Sequence, residues 1–295
     1  MSTSTPEEFS FLAGEAAEFG ITTALQTPRR VSATDSDGRE QSAIVWGEHP
    51  TLTFLHGGGL NAHTWDATIA ELGLPSVAID LPGHGDSAWR DDLDYRPVTS
   101  APAVASVLDD LGLSAQTVIG QSLGGGAAIA LAAQRPELVS RLVIVDVSPG
   151  LRAEDAAQVT DFLAGPQLFS SREEIAEKAI AFGFGASRAA LDRGVFLNTR
   201  VREDGSVIFK HHLANLNPGE VPLVHEFAPL WAALERIEIP VLLVHATRGF
   251  LREEVVEEFL RRVPGSIGVS VESGHNVQEE APVELARIIR EFLSV

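Results

Sequence analysis

The chain has 295 residues, 44% of them hydrophobic and 21% charged, which is room for one large core with an insertion or for two modest domains. Its 41 acidic residues against 22 basic ones give a formal net charge of −19, which repels a phosphate backbone and excludes nucleic acid as an expected partner. The absence of cysteine excludes disulfides, thiolate metal sites and a cysteine nucleophile, and no apolar run reaches the ~18–20 residues of a membrane helix.

Residues 1–10 are polar and acidic, so no secretory signal is expected and the protein is expected to be cytoplasmic. Residues 1–28 read as an N-terminal extension, with helical character and a surface position over 7–19. Strands at 30–34 and 42–46 flank Asp37-Gly38 as a hairpin. A third strand, 51–55, ends in the bare loop His56-Gly57-Gly58-Gly59. A helix over 64–72 leads to a buried strand, 76–80, and then to Leu81-Pro82-Gly83-His84-Gly85-Asp86-Ser87. Thr99 or Ser100 can cap a helix running through Leu111. A strand at 115–119, a helix of small residues and a strand at 141–147 follow. Strands alternating with helices predict a mainly parallel sheet covered on both faces.

The character changes at Ser148-Pro149-Gly150. Residues 151–229 lack buried-strand runs and read as an inserted helical lid. Helices are expected over 155–164, 172–181 and 188–199, with a hairpin at Asp204-Gly205. Phe162, Phe169, Phe182, Phe184 and Phe196 are candidates for an apolar pocket or for the lid's own core. Strands resume at 240–244 and 268–271, separated by a helix over 253–262. The last loop carries Gly274-His275, and an amphipathic helix covers 282–293. The core is thus expected over 1–150 and 230–295, with the lid over 151–229.

The chemistry centres on Gly120-Gln121-Ser122-Leu123-Gly124, a Gly-x-Ser-x-Gly run between a strand and a helix. The tight turn puts a hydroxyl at a strand tip, where free helix N–H groups can meet a developing oxyanion. A serine needs a base and a group that orients the base. His275 follows the last strand, at the sheet end where Ser122 also lies. No metal-ligand spacing and no dinucleotide or P-loop glycine signature is present, so no metal or cofactor is expected. His211 and His212 are possible substrate contacts within the lid, at least one of them expected to be solvated.

Taken together, His56-Gly57-Gly58, Trp65, the run 80–87, Gly120–Gly124 and Gly274-His275 resemble the lidded α/β-hydrolases. The resemblance spans about 29–150 and 230–295, and it implies an eight-stranded, mainly parallel sheet. It implies an oxyanion hole from the Gly58 and Leu123 N–H groups, with His56 bracing the loop. Relatives usually carry the acid after the strand that corresponds to 240–244, but here that loop, 245–251, holds no carboxylate. Some relatives carry it one strand earlier, which points to Asp146, with Glu253 and Glu254 as alternatives and Asp80 as a brace for the 82–85 turn. The resemblance implies a Ser122–His275–Asp146 triad that hydrolyses a carboxylic ester or lactone, a small-molecule substrate with an apolar acyl group. Carbon–carbon hydrolysis of a vinylogous diketone, a lyase reaction and a ligand-binding receptor on the same scaffold are the alternatives. Serine at 122 excludes the dehalogenase and epoxide-hydrolase types, which use aspartate there.

Overall fold

In the computed structural model, which describes residues 7–156, 168–182, 187–216 and 227–294, the apolar runs pair into one eight-stranded sheet. Its strands are β1 (Pro28–Thr34), β2 (Glu40–Trp46), β3 (Leu52–Leu55), β4 (Ser76–Ile79), β5 (Gln116–Gln121), β6 (Val139–Val145), β9 (Val241–Arg248) and β10 (Ile267–Gly274). The order is β1-β2-β4-β3-β5-β6-β9-β10. Only β2 runs against its neighbours, and every other pairing is parallel. The β1–β2 turn forms at Asp37-Gly38, where Gly38 takes φ 80° and the Asp35 carboxylate accepts the Asp37 and Arg39 amides.

Strand periodicity sorts the core into two layers. Leu55, Val118 and Ile144 face one side, where they meet α3 (Pro97–Asp110) and α4 (Leu123–Gln134). Phe54, Ile119 and Val143 face the other, with Trp65 and with Ile289 and Phe292 of the last helix, α10 (Pro282–Leu293). Burial of both faces matches the unbroken apolar runs of β3 to β6.

Local differences from the expected elements have local causes. α3 begins at Pro97, not at a Thr99 or Ser100 cap, because proline is pre-set for the first helical turn and Thr99 instead donates to Asp94. The expected helix at 64 opens as a 3₁₀ turn, Ala62–Trp65, capped by Asn61, before α2 (Asp66–Leu72). Between β6 and β9 lie α5 (Arg172–Ala181), α6 (Arg188–Asn198) and the hairpin of β7 (Thr199–Val201) with β8 (Val207–Phe209). Their contacts form a separate apolar cluster around Phe169, Ile175 and Phe209. Of the helix expected over 155–164, most lies outside the described residues, as do Phe162 and Phe184.

Residues 7–19 do not lie wholly at the surface, because one face of them is buried. Phe9, Leu12 and Ala16 are buried, the last two on α1 (Leu12–Glu18). Arg193 of α6 pairs with Glu15 at 3.2 Å and Glu18 at 3.1 Å, and Phe11 stacks edgewise on Phe196. Asn61 donates to Leu197 O and Asn198 Oδ1, both at 2.9 Å, so the same helix also docks on the core loop.

Beneath α1 lies an ionic network. Arg30 donates to Glu8 at 2.7 Å and to Asp80 at 2.8 Å, and His63 pairs with Asp66 at 2.8 Å and Glu8 at 3.3 Å. Burial opposes a charged His63, and Arg30 repels it, but Asp66 and Glu8 outweigh both and raise it to about 9. Burial and Asp66 also push Glu15 up to about 8. A folded-state pKa above the unfolded one stabilises fully below the unfolded value and is lost as pH rises through the folded value. Both groups therefore act in the same direction. The thermal midpoint is expected to fall as pH climbs from neutrality through about 9. Calorimetry across pH 6–10 (roughly the span of these two groups) checks this, with a shallower slope expected for His63→Gln and an equal slope contradicting it.

Candidate active site

β5 ends at Gln121, α4 begins at Leu123, and Ser122 stands between them at φ 52°, ψ −118°. A side chain held at positive φ typically costs about 1–3 kcal/mol, so the surroundings must enforce it. They do so through glycines. A Cβ on Gly120 would lie 2.3 Å from Gly124 O, and one on Gly124 would lie 2.2 Å from Leu55 O. The turn is pinned from outside as well, by the Ser122 amide donating to Val145 O at 3.2 Å. Ser122 stays partly exposed while Gln121 and Leu123 are buried.

The loop after β3 runs alongside. A Cβ on Gly57 would come within 3.3 Å of Ser122 Cβ, whereas Gly58 faces open space. The fully buried His56 braces this loop: Nδ1 donates to Gly57 O at 2.8 Å, and Nε2 accepts the Leu81 amide at 2.9 Å. Burial lowers its pKa despite the pull of Asp80, so it is a neutral strut. Asp80 sits behind, accepting Arg30 and the Ala62 and Asp86 amides.

Asp146 follows β6 directly, buried, at φ 47°. Its Oδ2 accepts His275 Nδ1 at 2.7 Å and the Phe250 amide at 2.9 Å, and Oδ1 accepts the Ala246 amide at 3.1 Å. A Cβ on Gly249 would lie 2.1 Å from Oδ2. The end of β9 and the turn after it hold no carboxylate of their own, and their backbone wraps the one offered at the end of β6. Glu253 and Glu254 are exposed in the first turn of α8 (Glu253–Arg262). Donation through Nδ1 makes Nε2 the basic nitrogen of His275. Phe250 stacks on the same ring, centroids 3.6 Å apart at 14°.

A family model described as the alpha/beta hydrolase family matches residues 54–288. The chain belongs to the α/β-hydrolase family. Esterase Rv0045c of Mycobacterium tuberculosis is 37% identical over 97% of this chain and 96% of its own. A crystal structure of that esterase aligns with a TM-score of 0.85, at 36% identity, over 99% of each chain. A putative 2-succinyl-6-hydroxy-2,4-cyclohexadiene-1-carboxylate synthase of Bacillus subtilis is 26% identical over 90% of this chain and 98% of its own.

Other candidates in this α/β-hydrolase take structural places. His211 is buried, accepts the Ala214 amide at Nδ1, and is pushed down to about 3 by burial and the neighbouring histidines. His212 stacks on Trp89 with centroids 4.3 Å apart and meets the Tyr95 hydroxyl at 2.6 Å, so neither histidine is freely solvated. Phe169 packs inside the inserted segment's own cluster. Sequence reading missed Gln121, Gly249 and Phe250. Gln121 was visible only as the unconstrained position of the serine motif, and nothing in the 245–251 loop marks its amides as a carboxylate cradle.

Proposed function

We propose that the protein hydrolyses a carboxylic ester or lactone through an acyl-enzyme on Ser122. The observation that carries this is the 2.7 Å Asp146–His275 hydrogen bond, together with a serine held at positive φ on the elbow, next to the Gln121 whose side chain bonds the His275 main chain. The relative named an esterase, similar over almost the whole chain, supports the same reading.

Ser122 Oγ attacks the carbonyl carbon as His275 Nε2 takes its proton. The tetrahedral oxyanion is held by the N–H groups of Leu123 and Gly58, each typically worth about 2.7–4 kcal/mol. His275 then protonates the leaving alkoxide. It next takes a proton from water, whose oxygen attacks the acyl carbon; the second tetrahedral intermediate collapses with cleavage of the bond to Ser122 Oγ, and His275 returns the proton to Oγ as the acid leaves. Asp146 holds, through its bond to Nδ1, the imidazolium that forms at each step. The described parts of the inserted segment, which dock on the core at Asn61, Gly83 and Trp89, serve as the lid.

The test is a time course of p-nitrophenyl ester hydrolysis from acetate through octanoate. Wild type is expected to turn over, with a chain-length preference that reports the acyl pocket. The synthase-named relative favours a lyase on the same residues as the second reading. Failure of wild type on every ester and lactone would favour it over hydrolysis.

A further inference from the structure

Gln121 is fully buried, one residue before Ser122, and its side chain crosses to the histidine loop. Nε2 donates to the main-chain oxygen of His275 at 3.2 Å and, at a longer 3.4 Å, to Asn276 Oδ1. Both neighbours at that end are acceptors, which sets the orientation of the amide. Asn276 is oriented in turn, because its Nδ2 donates to Glu279 Oε2 at 3.1 Å, while Glu279 Oε1 accepts the Thr64 hydroxyl at 2.7 Å. At the other end, Gln121 Oε1 is buried and has no hydrogen-bond partner among the described residues. It lies over Gly57, where an added Cβ would come within 2.1 Å of it. Packing alone does not account for this residue: an apolar side chain of similar length would fill the space without orphaning a carbonyl oxygen.

We propose that Gln121 is a positioning residue that fixes the His275 main chain relative to Ser122. This rests on the reading of Ser122 and His275 as nucleophile and base. His275 then has two anchors. Asp146 holds the ring through Nδ1, and Gln121 holds the backbone from the opposite side, through a residue covalently joined to Ser122. With the second anchor gone, the ring pivots about its bond to Asp146, and Nε2 drifts from the serine hydroxyl. A misplacement of about 1 Å can cost on the order of 10²-fold in rate.

Gln121→Met keeps the length and removes the donor. It is expected to lower kcat by about 10–100-fold with KM within about two-fold of wild type, since alignment rather than substrate binding is lost. Gln121→Glu adds a signature that a packing role would not produce. An ionised carboxylate cannot donate to His275 O, but a protonated one can, so the ratio of its kcat to that of Gln121→Met should rise as pH falls. Both variants are scored on protein that melts cooperatively, and if Gln121→Met does not fold, the kcat of Gln121→Glu is referred to that of wild type at each pH instead. A folded Gln121→Met with wild-type kcat, a loss confined to KM, or a pH-independent ratio would overturn the proposal. Wild type that neither cleaves an ester nor is acylated at Ser122 would overturn the underlying reading instead, and the positioning role with it.

Discussion

Ser122→Ala is expected to lower kcat for a p-nitrophenyl ester by about 10⁶-fold, on the scale seen when a serine nucleophile is removed from a working triad. KM should change little, because the Leu123 and Gly58 amides and the surrounding walls remain. What survives is the attack of water on a carbonyl held by amide donors, typically about 10³–10⁴-fold above solution. The variant should fold as wild type does, since alanine meets the same strain as serine at φ 52°. Ser122→Gly should lose activity equally yet melt higher, because glycine takes positive φ freely and relieves a strain of about 1–3 kcal/mol. Steady-state kinetics and calorimetry on the three proteins check both halves. A kcat loss below ten-fold in either variant would contradict the role of Ser122 (a nucleophile contributes far more than ~10-fold).

Asp146→Asn is expected to cost about 10⁴-fold in kcat, the scale of a wrong-tautomer defect. The reason lies in the three donors around the carboxylate, which are His275 Nδ1, the Phe250 amide and the Ala246 amide. An asparagine NH₂ must take one of the two oxygen sites. In the Oδ2 site it opposes the Phe250 amide and makes His275 accept at Nδ1, which moves the ring proton to Nε2, where the serine proton should go. In the Oδ1 site it orphans the Ala246 amide in a buried place. Glu253→Gln and Glu254→Gln change exposed side chains and should leave kcat within about two-fold. Turnover kept in Asp146→Asn but lost in a Glu253 or Glu254 variant would contradict the assignment.

The fold was readable because its signals are local and periodic. The buried runs of β3 to β6 and β9 have no other place than a doubly covered sheet, and Asp37-Gly38 declares its hairpin. The serine elbow was readable because glycine is required on both sides of Ser122, where a Cβ would strike backbone oxygens. The cradle around Asp146 was not, since it is built from the amides of Ala246 and Phe250, and any residue but proline has an amide. Gln121 was hidden for a similar reason: its partners, His275 O and Asn276, lie about 150 residues away, as their spacings of 154 and 155 record. The buried face of the N-terminal segment escaped because Phe9, Leu12 and Ala16 are too few in a polar stretch to mark a period, and their partners come from α2 and the core beside it.

The central claim is that Ser122 is the acylated residue, and covalent labelling tests it most directly. The protein is treated with a fluorophosphonate, and the adduct is located by intact mass and peptide mapping. The account predicts one adduct per chain, on Ser122, absent in Ser122→Ala and formed far more slowly in Asp146→Asn. An adduct on another residue, or ester turnover that persists in protein with Ser122 replaced, would contradict it.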